Sequence, residues 1–249
     1  QNVPVAEGLV IFDVEEMVAC RDNRDRGEIP AGSRLVAGLD PATAGYQAAV
    51  LWAYTASTGQ IHLVDVSNQA GAGIGGWRDI LREWWDVYGL THWVVETNAA
   101  QSGYLDDTWV RDFRTRYSIH IEPHQTGSNK WDPHIGLTAM ARMFGETYEH
   151  PDPTTGIDRT LRRITLPYGT PNAKAVTDLY IGQARHFSQN ASASKSARKG
   201  YKSDVLMASW FPMRSIRRWK SEDAAEMDVE YEQSFSSFQQ TEWNEVPWR

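Results

Sequence analysis

One cysteine, Cys20, occurs in 249 residues. No internal disulfide framework is therefore available, and a lone thiol suits a reducing compartment. No apolar run approaches the roughly 20 residues of a membrane span, and no charged-then-apolar leader is present. Phosphate-loop chemistry is also missing. The glycine-rich stretch "NQAGAGIGGW" has no Lys-Ser/Thr behind it and sits in the wrong register for a dinucleotide fingerprint. His120, His124 and His134 are loosely spaced, with no cysteine partners and no His-Glu-x-x-His pattern, so zinc is not expected. No repeat of 20–50 residues is visible.

What is present is 41% hydrophobic and 11% aromatic residues, ample for a packed core, into which most of the eleven tryptophans are expected to go. The net charge of −7 is unevenly spread. Residues 1–30 and 216–249 contribute −4 each, which leaves +1 for the middle. Within that middle, "RHFSQNASASKSARKGYK" (185–202) carries Arg185, Lys195, Arg198, Lys199 and Lys202 and no acid. Clustered positive charge in a Ser/Ala/Gly-rich loop suits phosphate contact, although a solvated loop has the same composition.

Along the chain, "LVIFDVEEMVAC" reads as a strand or short helix. The charged, Gly/Pro-punctuated "RDNRDRGEIPAG" that follows predicts a boundary near residue 31. "SRLVAGLD" is a short strand ended by Pro41, and "YQAAVLWAYT" and "QIHLVDVS" form a hairpin about "ASTG". "WRDILREWWDVYGL" has helical spacing and "THWVVET" is a buried strand. A helix over 101–116, the strand "SIHIEP", a helix from Lys130 to Phe144, the strand "RRITLP" and the helices "AKAVTDLYIGQARHF" and "KSDVLMASWF" complete the core. The order predicts an α/β fold: a three-strand antiparallel meander continued by parallel strands, with helices on both faces. The acidic stretch 219–249 lacks periodicity and reads as a partly disordered tail.

Asp40 and Glu96 each stand where a short apolar strand leaves the sheet. If their strands are parallel neighbours, about 4.8 Å apart, the two carboxylates repel unless positive charge lies between them. Ligands in open sheets bind beyond the carboxyl ends of strands. Asp204, at the head of an apolar helix, reads singly as a helix-start acid. Joined to the other two, it completes a hard-oxygen cage suited to Mg²⁺ or Mn²⁺. Two such ions activate water and stabilise the leaving oxygen in phosphodiester hydrolysis. Asp65, alternating with Val64 and Val66, points away from their face, and Asp106 and Asp107 read as a solvated turn. Lys130 is a candidate phosphate contact or an ordinary surface lysine.

The segments "GLDPA" (38–42), "VVETN" (94–98), "SNKWDPHI" (128–135), "RRITLP" (162–167) and "KSDVLMASW" (202–210) occur in that order. Together they resemble the nuclease domain of tailed-phage large terminase subunits, which has a ribonuclease H-like fold. The resemblance spans roughly residues 31–215. It implies that Asp40, Glu96 and Asp204 are catalytic metal ligands for Mg²⁺ or Mn²⁺ in a two-ion site. It further implies cleavage of concatemeric double-stranded DNA in the host bacterial cytoplasm, beside an ATPase domain, a portal and a small terminase subunit. Many members carry a second acid beside the third ligand, where this chain has Ser203. With no Walker A and no initiator methionine, the chain is expected to be a C-terminal nuclease portion: 1–30 a tether, 31–218 the nuclease and 219–249 the tail. A Holliday-junction resolvase shares the "GLDP"-type strand. An actin-like or sugar-kinase ATPase shares the meander, but "DPATAGY" is a poor phosphate turn. A DNA-binding packaging module with structural acids is the non-enzymatic alternative.

Overall fold

The computed structural model describes residues 11–41, 46–71, 73–98, 103–152, 154–187 and 203–225. Its centre is a meander of β2 (Ser33–Asp40), β3 (Tyr46–Thr55) and β4 (Gln60–Ala70). β5 (His92–Glu96) lies parallel to β2 on its outer side, and β6 (His120–His124) lies parallel to β5. On the other flank β9 (Ile164–Pro167) pairs with β4, and β1 (Arg21–Asp22) pairs with β9. The seven-stranded order is β1-β9-β4-β3-β2-β5-β6.

Alternation along each strand divides the interior in two. From β3, Val50, Trp52 and Tyr54 face a core shared with α1 (Val14–Ala19), α4 (Leu137–Arg142), α5 (Pro171–Arg185), α6 (Asp204–Trp210) and the helical residues 213–225. Ala49, Leu51 and Ala53 face the opposite way, onto α2 (Gly73–Tyr88) and α3 (Thr108–Tyr117). Burial on both faces explains why "YQAAVLWAYT" is a nearly continuous apolar run.

Four expectations change. Residues 11–30 do not hang from the domain as a tether. Phe12, Met17 and Cys20 are buried in the core, Cys20 Sγ donates to Phe144 O (3.2 Å), and Arg21 and Asp22 register with Leu166 and Pro167. Nor does the fold end at 218: Trp219 is buried against Tyr54, and Arg34 pairs with Asp223. The helix expected from Lys130 to Phe144 is a short 3₁₀ turn, Ser128–Trp131, followed only at Leu137 by α4. Pro133 and Gly136 separate them, and a Cβ on Gly136 would stand 2.4 Å from Lys130 O. Finally, β7 (Thr147–Pro151) and β8 (Asp158–Arg162) form a separate two-stranded hairpin ahead of β9, where a single strand was expected.

Candidate metal centre at the strand ends

Asp40 and Glu96 end their strands side by side. The parallel register Ala37↔Trp93, Gly38↔Val94, Leu39↔Val95 carries forward to bring the last residues of β2 and β5 together. Asp40 keeps partial access to solvent. Its carboxyl is nevertheless held well above the usual carboxylate range, first by burial, then by the charge of Glu96, a hydrogen bond with Glu96, and the charge of Asp204. Every group that sets Asp40 acts in the same direction, and none is a base. Three acids thus converge on one another, and a divalent cation is the species such a donor set suits.

The approach of Asp204 depends on one glycine. Helix α6 lies across β2 so closely that a Cβ on Gly38 would stand 1.8 Å from Ala208 O and 2.6 Å from Pro212 Cδ. Trp52 Nε1 donates to Ser209 O (3.2 Å), and the Ser209 and Tyr180 hydroxyls share a hydrogen bond (2.6 Å). At the head of α6, Gln183 Oε1 accepts the Val205 N–H (2.9 Å), and the Ser203 side chain makes no cap. A side chain from α5 thus supplies a capping acceptor at the helix start.

Glu96 is oriented by Asn98, a role the sequence did not assign to the last letter of "VVETN". The Asn98 amide donates to Glu96 Oε1 (3.0 Å) and to Thr126 O (3.1 Å), and its Oδ1 accepts the Thr126 N–H (3.2 Å). His124, register partner of Glu96, is kept from protonating chiefly by burial, with Arg214 adding to the effect and Glu96 opposing it. Beside it opens a cavity of about 540 Å³ whose lining includes His124, Asn129, Trp210, Arg214 and Arg217. Neither arginine stood out in the sequence, because both belong to a region that is acidic overall.

The predicted phosphate contacts divide. Arg185 is exposed in the last turn of α5. Lys130 is half-buried, its ammonium 5.0 Å from the Trp131 ring centre. Lys195, Arg198, Lys199 and Lys202 lie outside the described residues. Asp65 takes no part: it is buried, accepting from Arg26 Nε (2.7 Å), the Tyr88 hydroxyl (2.8 Å) and its neighbour Val66 N (2.7 Å). Asp107 caps α3 through the Val110 N–H (3.1 Å) and pairs with Arg78.

No helix among the described residues is long and apolar enough to cross a membrane. No protein-family model matches the sequence, and no curated protein does. Solved structures do match. The large terminase nuclease from thermophilic phage G20c is 14% identical, with 82% of this chain and 96% of that one covered at a TM-score of 0.50. The same nuclease with bound magnesium is 13% identical over 84% and 97%, also at 0.50. A full large terminase from another thermophilic bacteriophage aligns at a TM-score of 0.36 and 11% identity over 61% of this chain, which spans only 40% of that protein's length. At such identities the likeness is one of architecture, and the chain has the ribonuclease H-like α/β fold of the large terminase nuclease domains.

Proposed function

We propose that the protein is a metal-dependent endonuclease for double-stranded DNA, the nuclease portion of a viral packaging terminase. Asp40, Glu96 and Asp204 hold two Mg²⁺ or Mn²⁺ ions. The observation that carries this reading is the convergence of three acids, from two parallel strand ends and a helix start, with no base among the groups acting on Asp40. Bound there, divalent ions supply activation of water and stabilisation of charge on the leaving oxygen of a phosphodiester. The chain's own residues do the positioning. Asn98 fixes one oxygen of Glu96, and the contact of α6 with Gly38 sets the reach of Asp204. Arg185, Lys130 and the basic 188–202 segment hold phosphates without reading sequence, so binding weakens steeply with salt. The partners follow from the same reading: concatemeric duplex DNA, an ATPase domain elsewhere in the terminase, the portal and the small subunit, all in the host cytoplasm.

Plasmid nicking with Mn²⁺ or Mg²⁺ tests it. Wild type cuts, while Asp40→Asn, Glu96→Gln and Asp204→Asn do not. Cutting by all three folded variants refutes the site. A wild type that binds duplex but never cuts turns the protein into a packaging module. A preference for four-way junctions over linear duplex moves it to the resolvases.

A further inference from the structure

A second group of ligands lies at the opposite end of the same two strands. His92 opens β5 and His120 opens β6, and the parallel register sets them directly side by side, ring centres 4.9 Å apart. Glu122 follows His120 by two residues and so shares its face. The Nε2 atoms of His92 and His120 lie 3.2 and 3.4 Å from Glu122 Oε1, and one ligand atom from each residue falls within 4.8 Å of the other two. His92 Nε2 is buried and has no hydrogen-bond partner, since its approach to Glu122 is too poorly aligned to make one. A buried ring nitrogen left without a partner costs free energy, and a bound cation would recover it.

We propose that His92, His120 and Glu122 form a site for a late first-row divalent cation, with zinc as the natural probe. Two imidazoles and one carboxylate, with a fourth position left to water, is a donor set that zinc accepts and magnesium, which demands oxygen, does not. The site is separate from the carboxylate centre. Four residues of strand divide His92 from Glu96, about 13 Å. It is also reachable, because His120 is 61% exposed and β6 is an edge strand.

One group competes for it. Arg218 Nη2 donates to Glu122 Oε1 at 2.6 Å, and Ser215 Oγ approaches Oε2 at 3.4 Å. Arg218 has a second acid within reach, Glu222, at 3.8 Å on its own helix. A cation entering between the imidazoles displaces Arg218 from Glu122 toward Glu222. Occupancy is thereby coupled to the helical residues 213–225, whose Trp219 ring stands 5.3 Å from His92.

The test uses the full, tag-free chain carrying Asp40→Asn, Glu96→Gln and Asp204→Asn, so that the carboxylate centre takes up no metal. Zinc is titrated by calorimetry and Co²⁺ by its visible absorption. One equivalent is expected, with a cobalt spectrum of nitrogen-containing, low-coordinate geometry. Adding His120→Asn or His92→Asn is expected to weaken binding by at least the roughly 10–100-fold that loss of an outer-sphere partner costs. His120 is exposed enough to be replaced without disturbing the core. Arg218→Gln is expected to tighten binding. No zinc uptake by the parent, or uptake that survives both histidine substitutions undiminished, overturns the site. An unchanged affinity in Arg218→Gln overturns the competition.

Discussion

Replacing Gly38 with alanine sets two effects of opposite sign against each other. Gly38 lies inside β2, and on backbone entropy alone an alanine there stabilises by roughly 0.5–1 kcal/mol. The added Cβ, however, would stand 1.8 Å from Ala208 O and 2.9 Å from Ala208 C, whereas real Cβ contacts essentially never fall below 3.0 Å. Helix α6 would have to retreat by at least the difference, about 1.2 Å, and a helix backbone cannot rotate aside as a side chain can. That retreat pulls on the Trp52 bond to Ser209 O and on the buried Ser209–Tyr180 pair. Overpacking costs about 1–3 kcal/mol, and each buried hydrogen bond lost adds roughly 1 kcal/mol. The expected net destabilisation is about 2–4 kcal/mol, a large fraction of a typical domain's stability. Asp204 rides on the same helix, and a displacement of about 1 Å in a catalytic group can lower the rate roughly 100-fold. Urea unfolding followed by tryptophan fluorescence measures the first effect, and nicking at saturating Mn²⁺ below the unfolding transition measures the second. A Gly38→Ala protein with wild-type midpoint and wild-type nicking would refute both the close packing of α6 and its role in placing Asp204.

Gly182, within α5, has nothing within 4 Å of an added Cβ, so Gly182→Ala is expected to stabilise by up to about 1 kcal/mol, visible as a raised thermal midpoint; a lowered midpoint contradicts it. Burial, assisted by Arg24, lowers the His62 pKa from 6.5 to about 4, while its ring nitrogens contact the Thr55 and Thr165 hydroxyls. The unfolded chain binds the proton more readily. His62 therefore contributes stability that is present above pH 6.5 and is lost as pH falls toward 4, roughly 3 kcal/mol at most. Urea midpoints across that window are expected to slope less steeply in His62→Gln, and an unchanged slope counts against the assignment. Asn98→Ala frees Glu96 to rotate and is expected to raise the Mn²⁺ concentration for half-maximal nicking roughly 10–100-fold with little loss of stability. A variant that nicks at the wild-type Mn²⁺ concentration would show that Asn98 is dispensable.

Where periodicity is local, it was legible. The alternation of β2, the continuous apolar run of β3 and the helical spacing of α2 are properties of windows of about ten residues, and each appears as expected. Where an outcome depended on remote partners, it was not. Residues 11–30 read as a linker because their charges dominate the composition, yet those charges are satisfied in place: Arg24 donates to Leu63 O (3.1 Å), and Arg26 pairs with buried Asp65. The hairpin of β7 and β8 passed unnoticed because it is largely exposed, so burial imposed no strong pattern on it.

The sequence by itself determined that Asp40 and Glu96 each end an apolar strand and that Asp204 heads a helix, since strand ends, proline stops and helix starts are written in adjacent residues. Tertiary structure alone decided that these ends meet. The parallel pairing of β2 with β5 joins residues 56 positions apart, and the bare backbone of Gly38 lets α6 settle onto it. The same register decided the fate of the histidines. His92 and His120 are 28 positions apart and share no motif, yet two parallel strands set them side by side, because which strands become neighbours is settled by packing the whole chain at once.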